Sequence, residues 1–202
     1  MWTVLACLAA VVAAVLAGTW LRSAPPPLPS DAPRDLAGTR IAVDLPSEER
    51  AQVADTGSTF QAPAQGLSVP LRSAVVTDDT LNPPTLTDAY WYRDFADPFQ
   101  PGSGTAIVAM HSVRGGSGPG NAFADVVSGE PQIHVRVGDA VLLGAEAFEV
   151  TAVEVADKQA TARDARIWAD GASDLVILTC LIEPGVPLAD QPNLIVFADR
   201  AD

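Results

Sequence analysis

The chain has 202 residues, 48% of them hydrophobic, and its 25 acidic against 12 basic side chains leave a formal charge of −13. A surface this negative excludes nucleic acid and anionic lipid headgroups as electrostatic partners, since both would be repelled. Two cysteines, Cys7 and Cys180, and two histidines, His111 and His134, are the whole supply of thiol and imidazole.

The first predicted element is a membrane helix. Trp2 to Leu21 carries no charge, and a helix of that length crosses roughly the 30 Å hydrocarbon core of a bilayer. Trp2 and Trp20 stand where aromatic rings favour the headgroup layer, and Arg22 closes the segment. A cleaved signal peptide, with Val15-Leu16-Ala17 as its processing site, is the alternative; the lack of a basic start and the long apolar core favour an anchor. With Arg22 as the only nearby charge, the positive-inside rule is weak. The stiff "SAPPPLPSDAP" that follows suits a spacer holding a domain off a membrane surface, so the domain is placed outside the cell. These divisions give an anchor or signal at 1–22, a proline-rich spacer at 23–38 and a single domain at 39–202. With Cys7 in the anchor, the exported domain holds only Cys180. It cannot close an internal disulfide and is either buried and inert or reactive.

The domain reads as all-β with minor helical turns. "TRIAVDLP", "TAIVAMHSV", "QIHVRVGDAVLLG", "EAFEVTAVEV", "LVILTC" and "NLIVFA" are apolar or alternating runs separated by Gly, Pro, Asn and Asp, as expected of a closed or nearly closed β architecture. Ser47 is placed to cap a turn through "EERAQVA", and "TARDARIWA" predicts one or two helical turns. Asp78 and Asp79 read as solvated loop residues, calcium binding being the lesser alternative without a ligand pattern.

Two runs deliver chemistry. Alternation in "TAIVAMHSV" puts Thr105, Ile107, Ala109 and His111 on one face and Ala106, Val108 and Met110 on the other, with His111 at the start of a glycine-rich loop. "LVILTC" ends in Cys180. A thiol nucleophile and an imidazole so far apart in sequence can meet only through the fold. An inert, buried Cys180 is the plain alternative. His134, within a strand, is taken as structural.

"GTAIVAMHSV", the loop "RGGSGPGNAF", the turn "VGDAVLL" into "FEVTAVEV", then "LVILTC" and "NLIVFA", in that order, resemble the sortases, most closely the class F group of Gram-positive actinobacteria. The resemblance covers about residues 104 to 198 and continues faintly upstream in "GLSVP" and "TDAYWY". It implies a membrane-tethered cysteine transpeptidase built on an eight-stranded β-barrel. Such an enzyme cleaves a Leu-Pro-x-Thr-Gly type sorting signal of surface proteins and passes the acyl group to an amine of the cell-wall precursor or of another surface protein. Cys180 would be the nucleophile and His111 the proton carrier. The family also places an arginine just before the last strand, and here the chain departs: Gln191 stands at that position. Thr179, Arg114, Arg163 and Arg166 are the other candidates for oxyanion stabilisation or substrate positioning. A pseudoenzyme that binds peptides or partner proteins without turnover stays open because of this gap. An L,D-transpeptidase is disfavoured, since its Ser-His-Gly-Cys core is absent where Leu178 and Thr179 precede Cys180.

Overall fold

A computed structural model describes residues 27–169 and 171–201. The expected membrane helix lies outside these residues; among the described ones no helix is long and apolar enough to cross a membrane. Ten strands follow one another: β1 (Ala54–Ala62), β2 (Leu67–Ala74), β3 (Ala89–Tyr92), β4 (Ala106–Ala109), β5 (Ala124–Val127), β6 (Glu130–Ile133), β7 (Ala140–Leu143), β8 (Glu146–Ala156), β9 (Leu175–Cys180) and β10 (Asn193–Arg200). Eight of them close a barrel in the order β1-β2-β3-β4-β9-β10-β8-β7, while β5 and β6 form a separate hairpin. The expected all-β, eight-stranded barrel is therefore the observed one. Between β8 and β9 lie two short helices, α1 (Lys158–Arg163) and α2 (Ala165–Trp168).

The barrel is lined by residues from every one of its strands, among them Phe60, Leu71, Ala89, Val108, Val141, Phe148, Ile177 and Leu194. A second buried cluster lies on the outer face of β3, β4, β9 and β10 and includes Tyr90, Ile107, Ala109, Val176, Leu178, Ile195 and Phe197. Ile167 and Trp168 of α2 pack onto it. A wall buried on both faces demands apolar residues at every position, the physical origin of the continuous runs "LVIL" and "LIVF". The predicted alternation of β4 holds, with Ala106 and Val108 inside and Ile107 and Ala109 outside.

Some expected strands fail for identifiable reasons. "TRIAVDLP" makes only an isolated bridge between Arg40 and Arg34, because the closed barrel offers no free edge for a further strand. "QIHVRVGDAVLLG" is broken by a turn at Gly138, whose φ of 90° only glycine adopts readily. The Asp139 carboxylate closes that turn by accepting from the Arg136 N–H at 2.8 Å. His134, in this break, is exposed and holds the chain through its backbone N–H, 2.8 Å from the Phe123 carbonyl. The polar strand β1 gives no apolar alternation to read; β2 does alternate, Leu67, Val69 and Leu71 being buried between Ser68, Pro70 and Arg72, but its proline masks the pattern. Pro70 is tolerated because pairing of β2 with β3 starts only at Leu71. Ser47 does cap its turn, its Oγ accepting from the Arg50 N–H at 3.2 Å.

The last part of the expected spacer belongs to the barrel's compact unit, which begins at Asp31. Asp35 is only 3% exposed. Its carboxylate accepts the N–H groups of Ala37 and Thr39 at 3.1 and 2.8 Å and that of Ser117, in the loop after His111, at 2.8 Å.

Candidate active site

Strands β4 and β9 run parallel and adjacent, with Ala109 opposite Leu178, and the Met110 N–H continues the ladder to the Leu178 carbonyl at 3.1 Å. The ladder ends there, and two residues further on His111 follows the end of β4 while Cys180 closes the adjacent β9. Period-two alternation from Ala109 and Leu178 turns both side chains to the barrel's outer face. Both residues are partly buried, and Cys180 is a free thiol.

The two strand ends are braced from inside the barrel. Thr179 and Ser112 share a hydrogen bond between hydroxyls at 2.9 Å, and the His111 carbonyl accepts from the Gly120 N–H at 2.9 Å. Asn121 stitches the intervening loop, its Oδ1 accepting from Val113 N–H at 2.8 Å and Gly118 N–H at 2.7 Å. The His111 ring is held by Pro83, whose carbonyl lies 2.9 Å from Nε2. A carbonyl only accepts, so Nε2 carries the hydrogen and Nδ1 is the atom left to exchange a proton. Burial holds the imidazole below its ordinary 6.5, although the Pro83 bond pulls it upward. Burial likewise pushes the Cys180 thiol above its ordinary 9.0, with the charge of Lys158 acting against it. Both shifts favour the neutral form of each group, thiol at Cys180 and imidazole at His111.

The remaining candidates part company. Gln191 is 1% exposed. Its Oε1 accepts from the Glu183 N–H at 2.5 Å, and its Nε2 donates to the Glu183 and Val186 carbonyls at 3.1 and 2.8 Å. The amide that was expected to face a substrate carbonyl is engaged by the backbone of the β9–β10 loop. Arg114 reaches the same loop, donating to the Glu183 carbonyl at 3.4 Å and to that of Val186. Arg163 is exposed in the last turn of α1. Arg166 is not brought to the thiol: it is paired with Glu154 at 2.7 Å and Asp164 at 2.6 Å and lies 5.1 Å from the Phe197 ring centroid. Phe197 is four strand residues, roughly 13 Å, from the end of β10 that adjoins Cys180. Asp78 is paired with Arg50 at 2.5 Å, in keeping with a loop residue.

Sequence reasoning missed Asn193. It stands directly across from Cys180 on β10 and, on its other side, across from Ala156 on β8. Alternation from Ile195 places it on the outer face beside the thiol. Only the strand register reveals this, because the neighbouring Gln191 draws the eye as the longer donor.

Truncating Gln191 checks its structural assignment. Gln191→Ala leaves the Glu183 N–H and the loop carbonyls without partners and should lower unfolding free energy by about 1–3 kcal/mol. Gln191→Arg, which forces a charge into the same enclosed slot, should also destabilise rather than accelerate any reaction. Denaturant titration and peptide-cleavage rates of both variants decide the point; a faster Gln191→Arg would refute the assignment.

A closed barrel that carries a thiol and an imidazole at the ends of neighbouring strands has the frame that acyl transfer through a thioester requires. At the level of fold, the structure is similar to sortase A from Corynebacterium diphtheriae in its lid-mutant form, with 17% identity and a TM-score of 0.52 over 76% of this chain and 74% of that one. It is also similar to sortase C-1 from Actinomyces oris, with 14% identity and a TM-score of 0.51 over 72% and 73%. The barrel is of the sortase type. No family model and no curated protein matches the sequence.

Proposed function

We propose that the chain is a sortase-like cysteine transpeptidase; what supports this reading is a barrel of the sortase type whose neighbouring strands β4 and β9 end at His111 and Cys180. The Cys180 thiolate attacks the carbonyl carbon of the threonine in a Leu-Pro-x-Thr-Gly type signal, forming an S–C bond. The tetrahedral intermediate expels the glycine amine, which takes the proton held at His111 Nδ1. An amine of a cell-wall precursor or surface protein then attacks the thioester, its proton passes to His111, and Cys180 leaves as thiolate. One amide is exchanged for another, and no redox partner is needed. A class F assignment rests on the motifs alone. Anchoring through residues 2–21, with the domain outside a Gram-positive cell, is part of the same proposal. Incubating the full-length protein in detergent with such a peptide and triglycine should yield the peptide–triglycine conjugate. Neither conjugate nor hydrolysed peptide, across a panel of signal variants, would favour the peptide-binding pseudoenzyme, the reading that the engagement of Gln191 by the loop backbone keeps in view.

Because the working pair is thiolate with imidazolium, and burial opposes both charges, only a minor fraction of the enzyme is competent at any pH. Activity should climb with pH until the imidazolium begins to deprotonate, hold level, and fall once the thiol titrates. The acid limb of kcat/KM is expected below 6.5 and the basic limb above 9.0. Both limbs falling inside that interval would contradict a pair held in neutral form.

Protease treatment of intact protoplasts tests the placement. Asp35 ties its segment to the loop after His111, so release of a soluble barrel by cleavage before Asp31 is expected. Protection until the membrane is lysed would show that Arg22 keeps the domain in the cytoplasm.

A further inference from the structure

The strands around Cys180 end in one row. Cys180 of β9 faces Asn193 of β10, and Asn193 faces Ala156 of β8; two residues beyond Ala156 stands Lys158, the single lysine of the chain. Lys158 Nζ donates to the Ala189 carbonyl at 2.8 Å. Ala189 lies in the 3-10 turn Leu188–Asp190 that leads into β10, so the ammonium is tied to the backbone just ahead of Asn193. This bond occupies one of its three donors. Lys158 opens α1 directly after Asp157, whose carboxylate caps the helix by accepting from the Ala160 N–H at 2.7 Å. Between Lys158 and Cys180, Asn193 is neutral, and its side chain makes no hydrogen bond among the described residues. Of the arginines considered, Arg166 is committed to carboxylates.

We propose that Lys158 is the positioning cation of the Cys180 site, supplying across Asn193 the positive charge that the absent arginine would have provided. The proposal rests on Cys180 being the nucleophile. Burial pushes the Cys180 thiol up, and the charge of Lys158 works against that shift, in agreement with the row geometry.

Alkylation of Cys180 by iodoacetamide, followed by intact mass across a pH series on the full-length protein in detergent, reads the thiolate without any peptide. Lys158→Gln retains a donor for Ala189 but removes the charge, and should raise the alkylation half-point by about one pH unit. Lys158→Arg should restore it, and high salt should shrink the difference between wild type and Lys158→Gln. Asn193→Asp places a carboxylate between the two groups and should also raise the half-point. A Lys158→Gln profile that coincides with wild type overturns the proposal, as does an Arg114→Gln profile that carries the shift instead. Since no substrate enters, failure of every sorting peptide would defeat the transpeptidase reading while leaving this result readable.

Discussion

Cys180→Ala should abolish peptide cleavage, and His111→Ala should reduce it by on the order of a thousandfold or more, with both proteins still folded. In the proposed reaction the Cys180 thiolate forms the thioester, and alanine has no atom to do so. In the proposed reaction His111 carries the proton in both half-reactions, so its loss would remove the donor to the leaving amine and the acceptor from the incoming one. His111→Ala also frees the Pro83 carbonyl, which loses its ring partner, so a modest stability loss is expected alongside. Circular dichroism and thermal melts of the full-length proteins separate the two effects. Undiminished cleavage by folded Cys180→Ala would end the proposed chemistry.

Gly120→Ala should be nearly as damaging to activity, although residue 120 carries no chemistry. A Cβ there would lie 1.9 Å from Thr179 Oγ1 and 2.5 Å from Ser112 Oγ, so the hydroxyl brace beneath the two strand ends must break. Overpacking of this kind costs about 3 kcal/mol, seen as a fall of roughly 6–12 °C in Tm for a domain of this size. The His111 carbonyl is anchored to the Gly120 N–H, so the displacement passes directly to His111. Adding Thr179→Ala to the Gly120→Ala protein removes the nearest clashing atom and should recover part of the loss. A non-additive double-mutant cycle is the expected signature; strict additivity would show that Thr179 and Gly120 do not share this contact.

Local patterns in the amino-acid sequence reveal the barrel wall and hide much of the rest. The doubly buried wall is legible because "LVILTC" and "NLIVFA" are apolar at consecutive positions, and β9 and β10 begin where those runs begin. The face assignments in β4 follow from period-two alternation alone. By contrast, β1 reads "ADTGSTFQA", whose polar residues conceal a strand held by its neighbours β2 and β7. Its pairing is a tertiary effect that no local pattern reports. The site behaves in the same way. Cys180 and His111 are visible as reactive residue types at the ends of apolar runs, whereas Asn193 and Lys158 acquire meaning only through the register linking three strands. Gln191 is misjudged from sequence because its distance along the chain from Asn193 is legible and its burial is not. Two residues before β10, it lies in the loop interior with its amide enclosed by backbone groups.

The most direct test of the central claim is the intact mass of the protein after rapid mixing with a Leu-Pro-x-Thr-Gly type peptide and acid quench. A mass gain equal to the acyl portion of the peptide up to threonine is expected. It should map to Cys180, disappear on hydroxylamine treatment, and be absent from Cys180→Ala. Peptide cleavage without any such adduct, or an adduct on a residue other than Cys180, would contradict the account.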